Sequence, residues 1–182
     1  MHRSLLVRQL VPALAGYLAL VPAAILCDAA LHRLGLGAIG LWFGPAGTLL
    51  IAGSFLYSLR KRRLMRMGQP AKLLALHETL GWIGTLLILV HGGVHFSALL
   101  PWLALAALLV VVASGFTGSV LLKRASATLR EKATGGDDSN LVLDAVTLGV
   151  MKRWRAVHMP LNAVFLVLAL IHFGAVLVFG DW

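Results

Sequence analysis

Cysteine is nearly absent from this 182-residue chain. Cys27, the single one, has no partner for an intrachain disulfide, so no disulfide framework holds the fold and the redox compartment is left open. Charge is scarce too. Charged residues make up 13% of the sequence, against 59% hydrophobic residues and a mean hydropathy of +0.89, whereas a soluble globular domain carries about 25% charged residues. The polar surface of a water-soluble domain is missing, and lipid is the expected solvent. A net charge of +9 would ordinarily suggest nucleic acid. Here the basic residues fall in short clusters between long apolar runs, a topological pattern, and no nucleic-acid role is read from it.

What the chain has is apolar length. Runs long enough to cross a hydrocarbon core of about 30 Å extend from Leu10 to Leu31, Leu41 to Leu59, Leu73 to Phe96, Pro101 to Leu122 and Val157 to Phe179. The expected fold is therefore all-α, an integral membrane bundle of about five transmembrane helices. Pro12 and Pro22 are expected to bend the first helix, while Pro101 and Pro160 fall in opening turns, where a missing N–H costs little. The first run resembles a secretory leader, and Ala-Ile-Leu before Cys27 resembles a lipoprotein site. Leu26 is wrong for that cleavage and the run is long enough to span, so it is expected to remain as the first helix.

Lysine and arginine set the expected orientation. Arg3 and Arg8 precede the first helix; Arg60, Lys61, Arg62, Arg63, Arg66 and Lys72 follow the second; Lys123, Arg124, Lys152, Arg153 and Arg155 flank the connection between the fourth and fifth. All lie on one side, which the positive-inside rule makes cytoplasmic. The opposite side offers Arg33, the Ser97 to Leu100 turn and Gly180, Asp181, Trp182. A bacterial-type inner membrane with the N-terminus cytoplasmic and the C-terminus periplasmic follows. Trp42, Trp102, Trp154 and Trp182 fall at predicted helix ends and read as interface anchors.

Two parts are expected: 1–72, two helices with a basic cytoplasmic loop, and 73–182, a three-helix core with a cytoplasmic loop at 123–156. Gly135, Gly136, Asp137, Asp138 and Ser139 make that loop flexible and acidic. After it, Leu141, Ala145 and Leu148 recur at helical spacing with Asp138 or Ser139 as N-cap, the pattern of a helix lying on the membrane surface.

Four of seven histidines carry chemistry: His77 and His91 on the third helix, His158 and His172 on the fifth. Fourteen residues separate the members of each pair. That spacing spans about 21 Å and returns to within about 40° of the starting direction, so one helix face presents both rings. The two helices run in the same direction. His77 and His158 share the inner level, His91 and His172 the outer one. An ionisable group in hydrocarbon is a functional candidate by default. A haem iron takes axial ligands from opposite faces of the porphyrin, so two facing helices with one imidazole each can clamp a haem, and two levels accommodate two haem b groups. A single zinc or copper ion fits poorly, because ligands four turns apart cannot meet at one centre. Gly81, Gly84, Gly93 and Gly174 lie near the histidines, and Gly115 and Gly118 lie on the intervening helix; small residues admit a flat ring and are also common at membrane helix interfaces.

From Lys72 to Trp182 this pattern resembles the bis-histidine di-haem membrane cytochrome b superfamily, in particular the core of ferric reductase-like transmembrane proteins. The resemblance is carried by His77-Glu-Thr-Leu-Gly81 through His91, Ser-Gly-Phe-Thr-Gly118, and Arg153-Trp154-Arg155 with His158 through His172. It implies haem iron held by His77 with His158 and by His91 with His172, with electrons crossing the bilayer between a quinone or redox partner proteins on either side. Dinucleotide, flavin, CxxCH and iron–sulfur motifs are missing, so donor and acceptor must be other chains of a membrane complex or small diffusible molecules.

Lys72, Arg153 and Arg155 are expected near the inner level, where cations favour haem propionates and satisfy topology equally well. His95, one turn after His91, offers an alternative outer ligand, a propionate partner, part of a quinone pocket or an interfacial group. Glu78 points about 100° from His77, and Asp28 with His32 forms an i,i+4 pair near the outer surface. Two other classes compete with electron transfer: a haem-dependent reductase of ferric iron, a quinone or oxygen, and a transporter or haem-free structural subunit of a larger complex.

Overall fold

The computed structural model describes residues 3–65, 68–93, 98–133 and 141–179, with side chains described from 14 onward except at 117, 119–133, 141–153 and 155. Among the described residues there is no strand. Six helices follow one another among these residues: α1 (Arg3–Arg33), α2 (Gly37–Ser54), α3 (Leu56–Lys61), α4 (Pro70–Gly92), α5 (Leu99–Ala133) and α6 (Leu141–Phe179). Five stretches are long and apolar enough to cross a membrane: Leu14–Arg33, Gly37–Lys61, Pro70–Gly92, Leu99–Phe116 and Ala156–Phe179. The second is α2 continued by the short α3; the third, fourth and fifth lie in α4, α5 and α6. Leu18, Leu49, Leu170 and Val178 point outward and are well exposed, an arrangement suited to lipid and unfavourable in water.

Helix bounds follow local chemistry. Pro70 opens α4 at a position where its missing N–H has no ladder partner to lose. Gly93 closes α4 at φ 51°, which a residue with a Cβ rarely adopts. Its glycine is therefore required by the backbone at the helix end, where the sequence suggested only room for a ring.

The connection at 123–156 differs from its expected form. α5 runs on to Ala133, and the expected surface helix forms the first turns of α6, continuous with the fifth crossing. No proline lies between Leu141 and Met159, and a nucleated helix adds turns at little cost. The suggested caps Asp138 and Ser139, together with Gly135, Gly136 and Asp137, lie outside the described residues. So do Arg66, Ser97, Gly180, Asp181 and Trp182.

Two lengthwise helix pairs, with α1 beside them, make up the bundle. α2 lies lengthwise against α4 and α5 lengthwise against α6, with α4 also touching α1, α3 and α5. Ile51 of α2, Ile88 of α4, Leu108 and Val111 of α5 and Phe165 of α6 form the buried core where the pairs meet. Phe165 lies seven residues from both His158 and His172, so the core separates the two histidine levels.

Candidate functional site

Both α4 histidines are held by α2. A helix places residues fourteen apart on nearly the same face, and α2 presents two backbone carbonyls at that same spacing. His77 Nδ1 lies 3.0 Å from the Ser54 carbonyl oxygen, and His91 Nδ1 lies 3.1 Å from that of Gly40. A carbonyl oxygen only accepts, so Nδ1 donates in both bonds and the lone pair of each ring is on Nε2. Ser54 ends α2 where the ladder breaks: the Phe55 N–H turns back to the carbonyls of Ala52 and Gly53. Pro45, inside α2, brings no N–H to the Leu41 carbonyl, which neighbours that of Gly40.

Close packing fixes this register. Gly47 and Gly84 meet at the α2–α4 crossing, and a Cβ on Gly44 would come within 2.5 Å of the His91 ring. Gly84, expected to make room for a flat group, instead faces the α2 backbone. Gly81 and Gly174 have open space beside them. Tyr57 of α3 tilts over His77 at 5.9 Å between ring centroids, and Lys61 Nζ lies 3.4 Å from the Tyr57 hydroxyl.

On α6, His158 is buried and the other three imidazoles are half-buried. His158 Nδ1 lies 3.2 Å from Ser114 Oγ of α5, and the Trp154 ring stacks on the imidazole at 5.0 Å between centroids. Trp154, expected as an interface anchor, thus faces a neighbouring helix; its Nε1–H donates to the Ser114 carbonyl. Gly118 leaves space for the indole, and the Cβ position of Gly115 is 3.4 Å from His158 Cε1. Among the described residues, His172 has no hydrogen-bond partner.

His158 lies within electrostatic reach of His77, and His172 within reach of His91. Among the described residues no three His, Cys, Asp or Glu side chains converge as a metal-binding group, so the arrangement is two separate pairs. Among the described residues, one buried side-chain polar atom lacks a hydrogen-bond partner, Asn162 Oδ1, one turn beyond His158.

His95 lies outside the described residues, and the side chains of Arg153 and Arg155 are outside them as well, though both belong to α6. Lys72 is exposed in the first turn of α4. Asp28 and His32 meet as their spacing implies, with His32 Nδ1 3.3 Å from Asp28 Oδ1. The roles of Ser54, Gly40, Ser114 and Trp154 escaped the sequence reading. Trp154 lies one turn before His158 in the sequence, but that position does not tell a ring partner from an interface anchor. No family model, curated protein or solved structure matches the chain, which leaves its own side-chain geometry as the guide to its chemistry.

Proposed function

We propose that this chain is a membrane di-haem b-type cytochrome subunit that passes electrons across the bilayer between a quinone or redox partner proteins on its two sides. The observation that carries the reading is the anchoring of His77 and His91, fourteen residues apart on α4, on two α2 carbonyls at the same spacing, with His158 and His172 again fourteen apart on α6; His77 with His158 and His91 with His172 are the candidate pairs. These pairs would hold haem iron at two levels about 21 Å apart along each helix. Haem b, when bound, supplies a reversible one-electron iron couple.

The chain's own residues fit that group. The carbonyls of Ser54 and Gly40 keep the Nδ1 proton in place, so that Nε2 of His77 and His91 is the nitrogen that would coordinate. α4 and α6 each pack lengthwise on a different helix rather than on one another. Two axial imidazoles with a macrocycle between them need a wider separation than the 8–10 Å or so of direct helix packing. Ile88, Leu108 and Phe165 exclude water from the region between the levels. The partnerless Asn162 oxygen marks a place where a bound group or water would complete the polar contacts.

The basic segments support the orientation. With Arg60, Lys61, Arg62 and Arg63 cytoplasmic, the His77–His158 level is the inner one and the N-terminus is cytoplasmic in a bacterial-type inner membrane. Lys72, Arg153 and Arg155 are then on the side where propionates of an inner haem would find cations.

A pyridine haemochrome assay with reduced-minus-oxidised spectra on purified protein tests the reading. Two b-type haems per chain are expected. His77→Leu or His158→Leu should remove one set of spectral features, and His91→Leu or His172→Leu the other. Absence of haem after haem-supplemented expression would make the chain a structural subunit, and unchanged haem in all four variants would defeat the ligand assignment.

A further inference from the structure

Ser114 of α5 reaches α6 with both of its oxygens. The carbonyl accepts from Trp154 Nε1–H and the hydroxyl lies against His158 Nδ1. Trp154 and His158 are four residues apart, so their rings lie on one face of α6, and they stack with an interplanar angle of 23°. The opposing surface of α5 is shaped to receive both. Gly115 lies beside the imidazole, and Gly118, one turn past Ser114, lies under the indole, where any Cβ would overlap the six-membered ring.

This arrangement restrains a torsion that the backbone leaves free. The χ2 of histidine is a broad, roughly two-fold rotor, so helix geometry alone does not set an imidazole plane. A hydrogen bond at Nδ1 gives the ring a direction, and an aromatic ring stacked on one face opposes rotation out of plane. An interface anchor would need neither contact, since its indole would reach toward the headgroups. Ser114 and Trp154 also restrain each other: the indole bond to the carbonyl fixes the ring that covers the imidazole.

We propose that Ser114 and Trp154 are positioning residues for His158, together setting the plane of its imidazole and the hydrogen bond at its Nδ1. The proposal rests on the haem reading above. With Nε2 of His158 coordinating, Nδ1–H donates to Ser114 Oγ, which raises the basicity of the ligand and favours ferric iron. At the other level no hydrogen-bond partner of His172 lies among the described residues, which leave out His95 and Ser97.

The test uses the purified full chain with its haem, and compares wild type with Ser114→Ala, Ser114→Thr, Trp154→Phe and Trp154→Leu. Haem per chain, the g-values of the low-spin ferric signals and the two midpoint potentials are measured. Ser114→Ala should keep two haems per chain and raise one midpoint, that of the signal retained in His172→Leu, with Ser114→Thr returning it toward wild type. Trp154→Leu should shift the g-values of that same signal, and Trp154→Phe should shift them less. Selective loss of that haem in Trp154→Leu would support the same role. Two haems with unaltered g-values and midpoints in both Ser114→Ala and Trp154→Leu would overturn the positioning role and leave the haem reading intact. A wild-type chain that binds no haem would overturn both.

Discussion

Gly47 of α2 and Gly84 of α4 meet backbone to backbone: a Cβ on Gly47 would lie 2.7 Å from the Gly84 carbonyl oxygen, and one on Gly84 would lie 2.8 Å from that of Gly47. Gly84 is seven residues from both His77 and His91, and Gly47 is seven from both Gly40 and Ser54. The crossing is therefore the midpoint of the register that places each Nδ1 on its carbonyl. Gly84→Ala should push α2 from α4, cost about 1–3 kcal/mol, and weaken both histidine anchors together. Haem at both levels should fall, whereas Gly81→Ala, which enters open space, should leave haem content and melting temperature near wild type. Haem stoichiometry beside thermal unfolding in detergent makes the comparison, and equal behaviour of the two variants would refute the crossing's role.

Gly44 predicts a local effect instead. A Cβ there would fall 2.5, 2.6 and 2.7 Å from Cδ2, Nε2 and Cγ of His91. Those are ring atoms, and the ring is tied to the Gly40 carbonyl, so it cannot swing aside without losing that bond. Gly44→Ala should displace His91 and abolish the spectral features lost in His91→Leu, while those of His77 persist. Loss of both sets, or of neither, would contradict this.

Much of the bundle was legible in the sequence because lipid makes severe demands. Each crossing needs about 20 apolar residues, so five runs announced five spans. Fourteen-residue spacing placed His77 and His91 on one face of a helix because helix geometry is regular, and both rings do bond α2. Other features had no residue-type signal. Every residue carries a carbonyl, so nothing in the letters for Gly40 or Ser54 says that a histidine on another helix will use theirs. Trp154 at the end of an apolar run looks the same whether its indole turns to headgroups or to Ser114. Gly84 and Gly93 were read as space for a ring, although one serves a helix crossing and the other a positive φ, because a glycine shows only that a side chain is absent. Continuation of α6 back to Leu141 was obscured because Lys152, Arg153 and Arg155 interrupt the apolar pattern and read as a membrane boundary.

Asn162 sets a test of the bundle without its proposed cofactor. Its Oδ1 is buried with no partner, and an unsatisfied polar atom in an apolar interior costs about 1–3 kcal/mol. Leucine has the same heavy-atom branching, somewhat greater volume and no polar atom. Asn162→Leu should therefore raise the melting temperature of haem-depleted protein. A lower melting temperature would show that the amide already has a partner in that form.

Phe165 gives the last prediction, because it lies between the two histidines of α6 and is 1% exposed. Helices within lipid gain little from hydrophobic transfer, since the tails are as apolar as the side chains, and association depends on van der Waals packing. Removing a large ring from a site where four helices meet leaves a void that lipid cannot enter, at a cost of about 3–5 kcal/mol on the scale of buried Phe→Ala changes. α6 has its main packing along α5, so that loss should loosen α6 and weaken the pairing of His158 and His172 with α4 at both levels. Val164, the adjacent residue, is 51% exposed, and Val164→Ala should have little effect. Thermal unfolding and haem retention of Phe165→Ala, Phe165→Leu and Val164→Ala should follow the order of buried volume lost, with Phe165→Ala lowest. If Phe165→Ala matched Val164→Ala, the region between the levels would not be a packed core, and the rigidity assigned to the histidine spacing would have to come from α2 alone.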